Sequence, residues 1–183
     1  MFACLMLAFM IDQQLIEELN RMRSNPARYA THLEERLKYY QKKILRLPNQ
    51  VALQTKEGDR AVKEAIRVLR ATQSLPQLKE QSDLAAAARD HVREIGPKGL
   101  IRHARIPPGV GEVMSFGPER SRDVVIELLV DDGVPNRGHR KLLLDSRFRY
   151  AGAACGPHKT YRTMCVIDLS IGPDPMPASP RQQ

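Results

Sequence analysis

Two apolar segments near the C-terminal end restrict the fold more than any other part of the chain. RFRYAGAACG at 147–156 and YRTMCVIDLS at 161–170 are rich in small, aromatic and β-branched residues. A short polar loop separates them, so they are predicted to pair as an antiparallel hairpin. A third candidate strand at 111–116 follows a loop dense in glycine and proline. The chain therefore needs other layers to cover a small antiparallel sheet.

Amphipathic helices can supply those layers. Each predicted helix has apolar residues at helical spacing, and most have a residue suited to start the helix. The predicted helices cover 11–24, 27–47 after Asn25 and Pro26, 59–72, 83–95 after Ser82, and 120–130 with Ser121 as the cap. Enough helical material exists for both faces of the sheet. The pattern predicts an α+β fold, a three-layer α-β-α sandwich with a small central antiparallel sheet.

The length of 183 residues suits one domain, which we place at residues 11–170. Residues 1–10 are apolar like the centre of a signal peptide but have no preceding Lys or Arg. We interpret them as a weak or truncated leader, with an apolar helical turn packed on the body as an equal alternative. Residues 171–183 are rich in proline and are predicted to be a disordered or surface-draped tail. No stretch reaches the roughly 18 to 20 apolar residues of a membrane-spanning helix.

Cys155 and Cys165 flank the loop of the predicted hairpin. If the hairpin turns near Thr160, the two cysteines lie opposite one another, at a spacing compatible with a cross-strand disulfide. Two buried free thiols are the equal alternative. A disulfide would favour an exported, extracellular protein.

The net charge of +8 and the pI near 9.7 raise the question of nucleic-acid binding. Much of the basic charge lies along helical faces, and no zinc-finger spacing, aromatic RNA-binding motif or phosphate-binding loop accompanies it. A solvated basic helix face is therefore favoured over a nucleic-acid groove. Attraction to acidic membrane surfaces remains an alternative.

Histidine and acidic residues suggest a metal site. His103, Glu112 and His139 would give the three protein ligands of a reactive zinc site, but their spacing alone favours surface and helix-cap roles. His91 lies on the apolar face of a predicted helix, where a hydrogen-bonded packing role is favoured over metal binding.

Several segments, in order, resemble the CAP superfamily of cysteine-rich secretory proteins, venom antigens, plant pathogenesis-related proteins and microbial SCP-like proteins. They are LNRMRSNP, DLAAAARDHVREIG, IRHARI, VGEVMSFG and the run from Asp131 to Ser170. The resemblance covers residues 11–170 and is strongest to the short, cysteine-poor microbial members. It implies an α-β-α sandwich with a cavity lined by two histidines and two acids, which binds a divalent metal such as zinc in many members.

By position, the resemblance assigns His103 and His139 as the two histidines and Glu112 as the first acid. Val113 stands where the family usually has asparagine, so a polar contact in the cavity is expected to be missing. The second acid has no clean match.

Asp132 is the nearest candidate for that second acid, and Asp131 and Glu127 are the fallbacks. The predicted metal ligands are therefore His103, Glu112, His139 and Asp132.

The function that the resemblance implies is a secreted binding module, with a groove for a lipid, a sterol or a protein partner. The alternative is a metal-dependent hydrolase in which zinc lowers the pKa of its bound water to about 7 and Asp132 acts as general base with Glu112. A basic nucleic-acid binder is the third hypothesis and rests on charge alone. The oligomeric state is left open.

Overall fold

Six helices and seven strands are present in the computed structural model, which describes residues 2–173 and the side chains of Asp12 and residues 14–173. The helices are α1 (Phe2–Ser24), α2 (Pro26–Leu37), α3 (Asp59–Ala71), α4 (Ser82–Ile95), α5 (Ser121–Val130) and α6 (Gly138–Leu143). The strands are β1 (Tyr40–Gln41), β2 (Ile44–Leu45), β3 (Leu53–Gln54), β4 (Lys79–Glu80), β5 (Val110–Phe116), β6 (Tyr150–His158) and β7 (Arg162–Ser170).

The main sheet has the strand order β4-β6-β7-β5. Strands β6 and β7 form the predicted hairpin, with a turn centred on Thr160, and β5 pairs antiparallel with β7. Strand β4 adds two residues in parallel to β6. The register places Cys155 opposite Cys165, and the two form a disulfide with an S–S distance of 2.07 Å. Of the two alternatives for these cysteines, the disulfide is the one observed.

Helices cover both faces of this sheet. Helix α4 packs on one face against β6 and β7, while α1, α5 and α6 lie on the other face, with α2 and α3 outside them. A large core fills the α1 and α5 side, and a smaller core that includes Val92 and Met164 lies under α4. Gly152 allows α4 to approach closely, because a Cβ there would lie 2.0 Å from the backbone nitrogen of Ala85. The predicted α-β-α sandwich is confirmed.

The predicted helix over 27–47 is wrong in its second half. Asn25 caps α2 as expected, since its side chain accepts the backbone N–H of Arg28 at 2.9 Å, but the helix ends at Leu37. Residues 40–54 instead form the small antiparallel sheet β1-β2-β3. Lys42 takes a left-handed conformation with φ of 56° in the turn between β1 and β2.

The predicted caps of α4 and α5 are wrong by one residue. Ser82 and Ser121 are the first residues of α4 and α5 rather than their caps, and the preceding Gln81 and Arg120 make no side-chain capping hydrogen bond.

Helix α1 begins at Phe2, so the backbone of 2–10 is helical, and the leader interpretation stays a prediction. Residues 174–183 of the predicted tail lie outside the described residues. Within residues 2–173, no helix is both long and apolar enough to cross a membrane.

Arg23 joins the end of α1 to the segment that contains α6. Its side chain is fully buried, and its guanidinium donates hydrogen bonds to the backbone carbonyls of Pro76, Leu143, Asp145 and Phe148. Burial lowers the pKa of Arg23 to about 10, so the side chain stays charged at neutral pH. A planar guanidinium with five donors suits such a set of carbonyls, because one side chain can donate to all four of them.

Candidate functional site

Glu112 is the central acid of the site. Strand β5 places its side chain on the α4 side of the sheet, where the residue is 3% exposed. One carboxylate oxygen lies 2.6 Å from Nδ1 of His91, and the other lies 2.8 Å from Nδ1 of His103 and accepts the backbone N–H of Ala104 at 3.0 Å. Burial raises the pKa of Glu112, but the hydrogen bonds from His103 and His91 outweigh it and hold the pKa at about 2. Glu112 is therefore ionised.

The two histidines on Glu112 differ in exposure. His91 lies on α4 and is 6% exposed, whereas the side chain of His103, in the loop before β5, is 54% exposed. The hydrogen bond to Glu112 raises the pKa of both imidazoles. The predicted hydrogen-bonded packing role of His91 is confirmed. Its partner, however, is the central acid, so His91 also holds Glu112 in place.

A second pair consists of His139 and Asp131. Asp131 ends α5 in the left-handed conformation, with φ of 55°, and is 3% exposed. One of its carboxylate oxygens accepts the backbone N–H of His139 at 3.0 Å, and the other lies 2.7 Å from Nδ1 of the same residue. His139 is the second residue of α6, at the start of a short helix as expected. The fallback Asp131 is thus the acid that contacts the second histidine.

Asp132, the first choice for the second acid, points elsewhere. Its two carboxylate oxygens accept the backbone N–H groups of Lys56 and Glu57, at 2.6 and 2.8 Å. These bonds anchor the segment that leads into α3. The other fallback, Glu127, accepts a short hydrogen bond from the hydroxyl of Ser115, and burial raises the pKa of Glu127.

The two histidine–carboxylate pairs face one another. The ring centroids of His103 and His139 lie 6.3 Å apart. Because each Nδ1–H donates to a carboxylate, Nε2 of each ring carries the lone pair when the imidazole is neutral. Among the side chains of Asp12 and residues 14–173, no three histidine, cysteine, aspartate or glutamate side chains are arranged to hold a metal ion together. The structure therefore places His139 opposite the His103–Glu112 pair, but Glu112 contacts Nδ1 of His103 and makes no hydrogen bond to His139.

Asp168 is a buried acid that the sequence analysis missed. It lies on β7 directly opposite Glu112 of β5, is 2% exposed, and its Oδ1 has no hydrogen-bond partner among the described residues. Burial, and then the negative charge of Glu112, raise the pKa of Asp168 to about 7. An acid among apolar residues in CVIDLS was the available signal, because a strand that is buried on both faces seldom contains one.

Val113 lies on the opposite face of β5 from Glu112. It is fully buried in the large core, so this position supplies packing rather than a polar contact to the cavity.

An open groove of about 790 Å³ lies beside His139. Its polar lining includes Ser115, Glu127 and Asp131. Its apolar lining comes from the β1-β3 region and the end of β5: Tyr40, Leu45, Leu47, Val51, Leu53 and Phe116. The volume lies in the range of small-molecule sites, about 300 to 1,000 Å³.

An α-β-α sandwich that holds two histidine–carboxylate pairs across one cleft is the arrangement of the CAP class. The chain belongs to the CAP family, described as the cysteine-rich secretory protein family, whose sequence model matches residues 63–169. The matched segment includes both pairs as well as His91 and Asp168. A search of curated proteins and a search of solved structures each found no match to the chain.

Proposed function

We propose that this protein is a secreted binding module whose cleft takes up a divalent metal ion, such as zinc, through Nε2 of His103 and of His139. The facing imidazoles carry the proposal, each with its Nδ1 fixed on a buried carboxylate. A carboxylate that accepts a hydrogen bond from one nitrogen of an imidazole fixes the tautomer and raises the basicity of the other nitrogen, which binds the metal. Neutral imidazole is a common zinc ligand, so the residues fit the ion.

In this arrangement Glu112 and Asp131 support the two ligands and do not bind the metal. Two protein ligands leave further positions of the ion for water or for a group of the bound partner. The groove beside His139 is the proposed binding place for that partner, a lipid, a sterol or a protein segment, because its lining combines apolar side chains with a few polar groups. The disulfide supports export, since such bonds persist in oxidising compartments.

The hydrolase alternative receives less support from the site. It assigned the role of general base to Asp132, but both carboxylate oxygens of Asp132 accept backbone N–H groups of another segment. Glu112 is likewise occupied by three donors. Both carboxylates thus hold other groups of the protein, and neither is placed to take a proton from a reacting water without giving up these bonds. We therefore favour the binding module, and the nucleic-acid hypothesis still rests on net charge alone.

Calorimetric titration with zinc tests the metal-binding part of the proposal. We expect the wild-type chain to bind one zinc ion per molecule and the variant with both His103→Ala and His139→Ala to lose this binding. The control is His32→Ala, on α2, which removes a histidine away from the cleft and should retain zinc binding. Absence of binding by the wild type, or equal binding by the double variant, would refute the metal site and leave the groove as the functional surface.

A further inference from the structure

A basic surface with exposed apolar side chains lies at one end of the sheet, and we name it the basic tip. It consists of residues 97–105, in the loop after α4, and residues 158–162, in the turn between β6 and β7. These two segments contain five Lys or Arg and no Asp or Glu: Lys98, Arg102, Arg105, Lys159 and Arg162. The local composition is therefore far more basic than that of the chain as a whole.

Hydrogen bonds hold the two segments of the basic tip together. The backbone N–H of Lys159 donates to the carbonyl of Gly96 at 2.9 Å, and Nε2 of the buried His158 donates to the carbonyl of Leu100 at 3.2 Å. Nδ1 of His158 accepts the backbone N–H groups of Thr160 and Tyr161. The two segments thus form one continuous surface rather than two independent loops.

Three large apolar side chains on this surface face solvent. Leu100 is 40% exposed, Ile101 is 59% exposed and Tyr161 is 44% exposed. Apolar side chains grouped on a surface and surrounded by polar residues mark interaction sites more often than single exposed ones do. The partner of the basic tip must therefore accept apolar groups as well as positive charge.

The positive charges of the basic tip are also poorly neutralised within the molecule. Arg102 pairs with Glu94 and Arg162 pairs with Glu119, but Lys98, Arg105 and Lys159 have no ion pair among the described residues.

Helix α3 also has several basic residues, but most of them are paired with acids. Arg60, Lys63 and Arg70 each pair with a carboxylate, and Arg67 is the one basic residue of α3 without an ion pair among the described residues. The basic tip thus combines unpaired positive charge with exposed apolar side chains.

From this combination we propose that the basic tip docks on the surface of an anionic phospholipid bilayer. Lysine and arginine are attracted to acidic headgroups, and the exposed leucine, isoleucine and tyrosine side chains can enter the boundary between headgroups and acyl chains. Nucleic acid would use the charge but would leave the apolar groups unused. The proposal goes beyond the metal and groove proposals and depends on neither. His103 lies in the same loop, so docking would bring the cleft close to the bilayer.

Co-sedimentation of the full chain with vesicles tests this docking. One set of vesicles contains phosphatidylcholine and phosphatidylserine, and the other contains phosphatidylcholine alone. We expect binding to the first set only, and binding should weaken as salt is added, because exposed charges are screened. Lys98→Glu combined with Lys159→Glu should reduce the vesicle affinity by about tenfold or more.

Controls separate this surface from diffuse charge attraction. Arg67→Glu combined with Arg70→Glu changes the net charge by the same amount on α3 and should alter the affinity by less than about twofold. Ile101→Ser should reduce it about threefold or more, whereas Val68→Ser, an exposed apolar residue of α3, should not. Thermal melts verify that each variant is folded.

Several results would overturn the proposal. One is that the wild type does not bind the phosphatidylserine vesicles. The others are that the charge variants of the basic tip and of α3 lose vesicle affinity equally, or that the Ile101→Ser variant binds vesicles like the wild type. Binding to duplex DNA that exceeds vesicle binding and is lost in the same tip variants would assign the surface to nucleic acid instead. The His139→Ala variant, which changes a proposed metal ligand outside the basic tip, should still bind vesicles, so failure of the metal proposal is distinguishable from failure of this one.

Discussion

The buried carboxyl of Asp168 should make the protein less stable as the pH rises. Its pKa is about 7 in the folded chain against an ordinary value of 3.8. The folded state therefore holds the proton over a pH range in which the unfolded state has lost it. Stability is unaffected by this group below about pH 4, falls between about pH 4 and pH 7, and stays reduced above that range. A difference of about three pKa units corresponds to a cost of about 4 kcal/mol.

Asp168→Asn removes this ionisation at nearly constant volume. We expect the variant to be more stable than the wild type by about 2 to 4 kcal/mol near pH 8, and equally stable or slightly less stable near pH 4. The lower limit allows for the amide, which has to find hydrogen-bond partners in a place where the Oδ1 atom of Asp168 has none.

Two neighbouring groups also titrate and must be separated from this effect. Glu112 has a depressed pKa of about 2, so its contribution is present above its ordinary pKa of 4.5 and is lost only as the pH falls toward 2. The pKa of His91 is raised, so its contribution is complete below 6.5 and is lost as the pH rises through the folded value. His91 thus changes in the same direction as Asp168, and only the difference between wild type and variant isolates Asp168.

Urea unfolding at a series of pH values gives the required free energies of unfolding. Asp90→Asn, an exposed acid on α4, is the matched control and should show no pH-dependent gain. A free-energy difference between wild type and Asp168→Asn that is constant with pH, or a variant less stable than the wild type near pH 8, would refute the reasoning about the buried carboxyl.

Three further predictions concern stability and the second acid. Arg23→Met should cost about 3 to 5 kcal/mol in urea unfolding, because buried carbonyls lose their charged donor; a loss below 1 kcal/mol would contradict this. Replacing both Cys155 and Cys165 by alanine should cost about 2 to 4 kcal/mol, and unchanged melting would exclude a stabilising disulfide. Under the metal proposal, Asp131→Ala should weaken zinc binding about 10- to 100-fold while Asp132→Ala leaves it unchanged, and calorimetry showing the reverse would restore Asp132 as the second acid.

Local patterns predicted most of the fold, and they failed where hydrogen bonding between segments decided the structure. The hairpin of β6 and β7 was predictable because both strands have strong strand composition on either side of a short loop. The end of α2 was not, because the basic and aromatic residues after Leu37 are compatible with a helix and with the β1-β2 turn. Pairing of β2 with β3, which lies farther along the chain, selects the turn.

The candidate site, too, could be predicted from the sequence only in part. His103, Glu112 and His139 could be chosen from the resemblance to the CAP family. The choice between Asp131 and Asp132 could not, because adjacent acids differ only in direction, and the left-handed backbone of Asp131 sets that direction. Asp168 becomes part of the site only through the register of β5 and β7, which the sequence does not specify.

The buried guanidinium of Arg23 has a consequence for where a working fragment of this protein can begin. The family match starts at residue 63, yet the carbonyls that Arg23 satisfies belong partly to the segment between α6 and β6, well inside that match. Leu15 and Leu19 of the same helix fill the large core. A fragment cut at the match boundary would expose that core and leave buried carbonyls without donors. The unit that folds is therefore longer than the segment that the family model matches, and expression should retain α1.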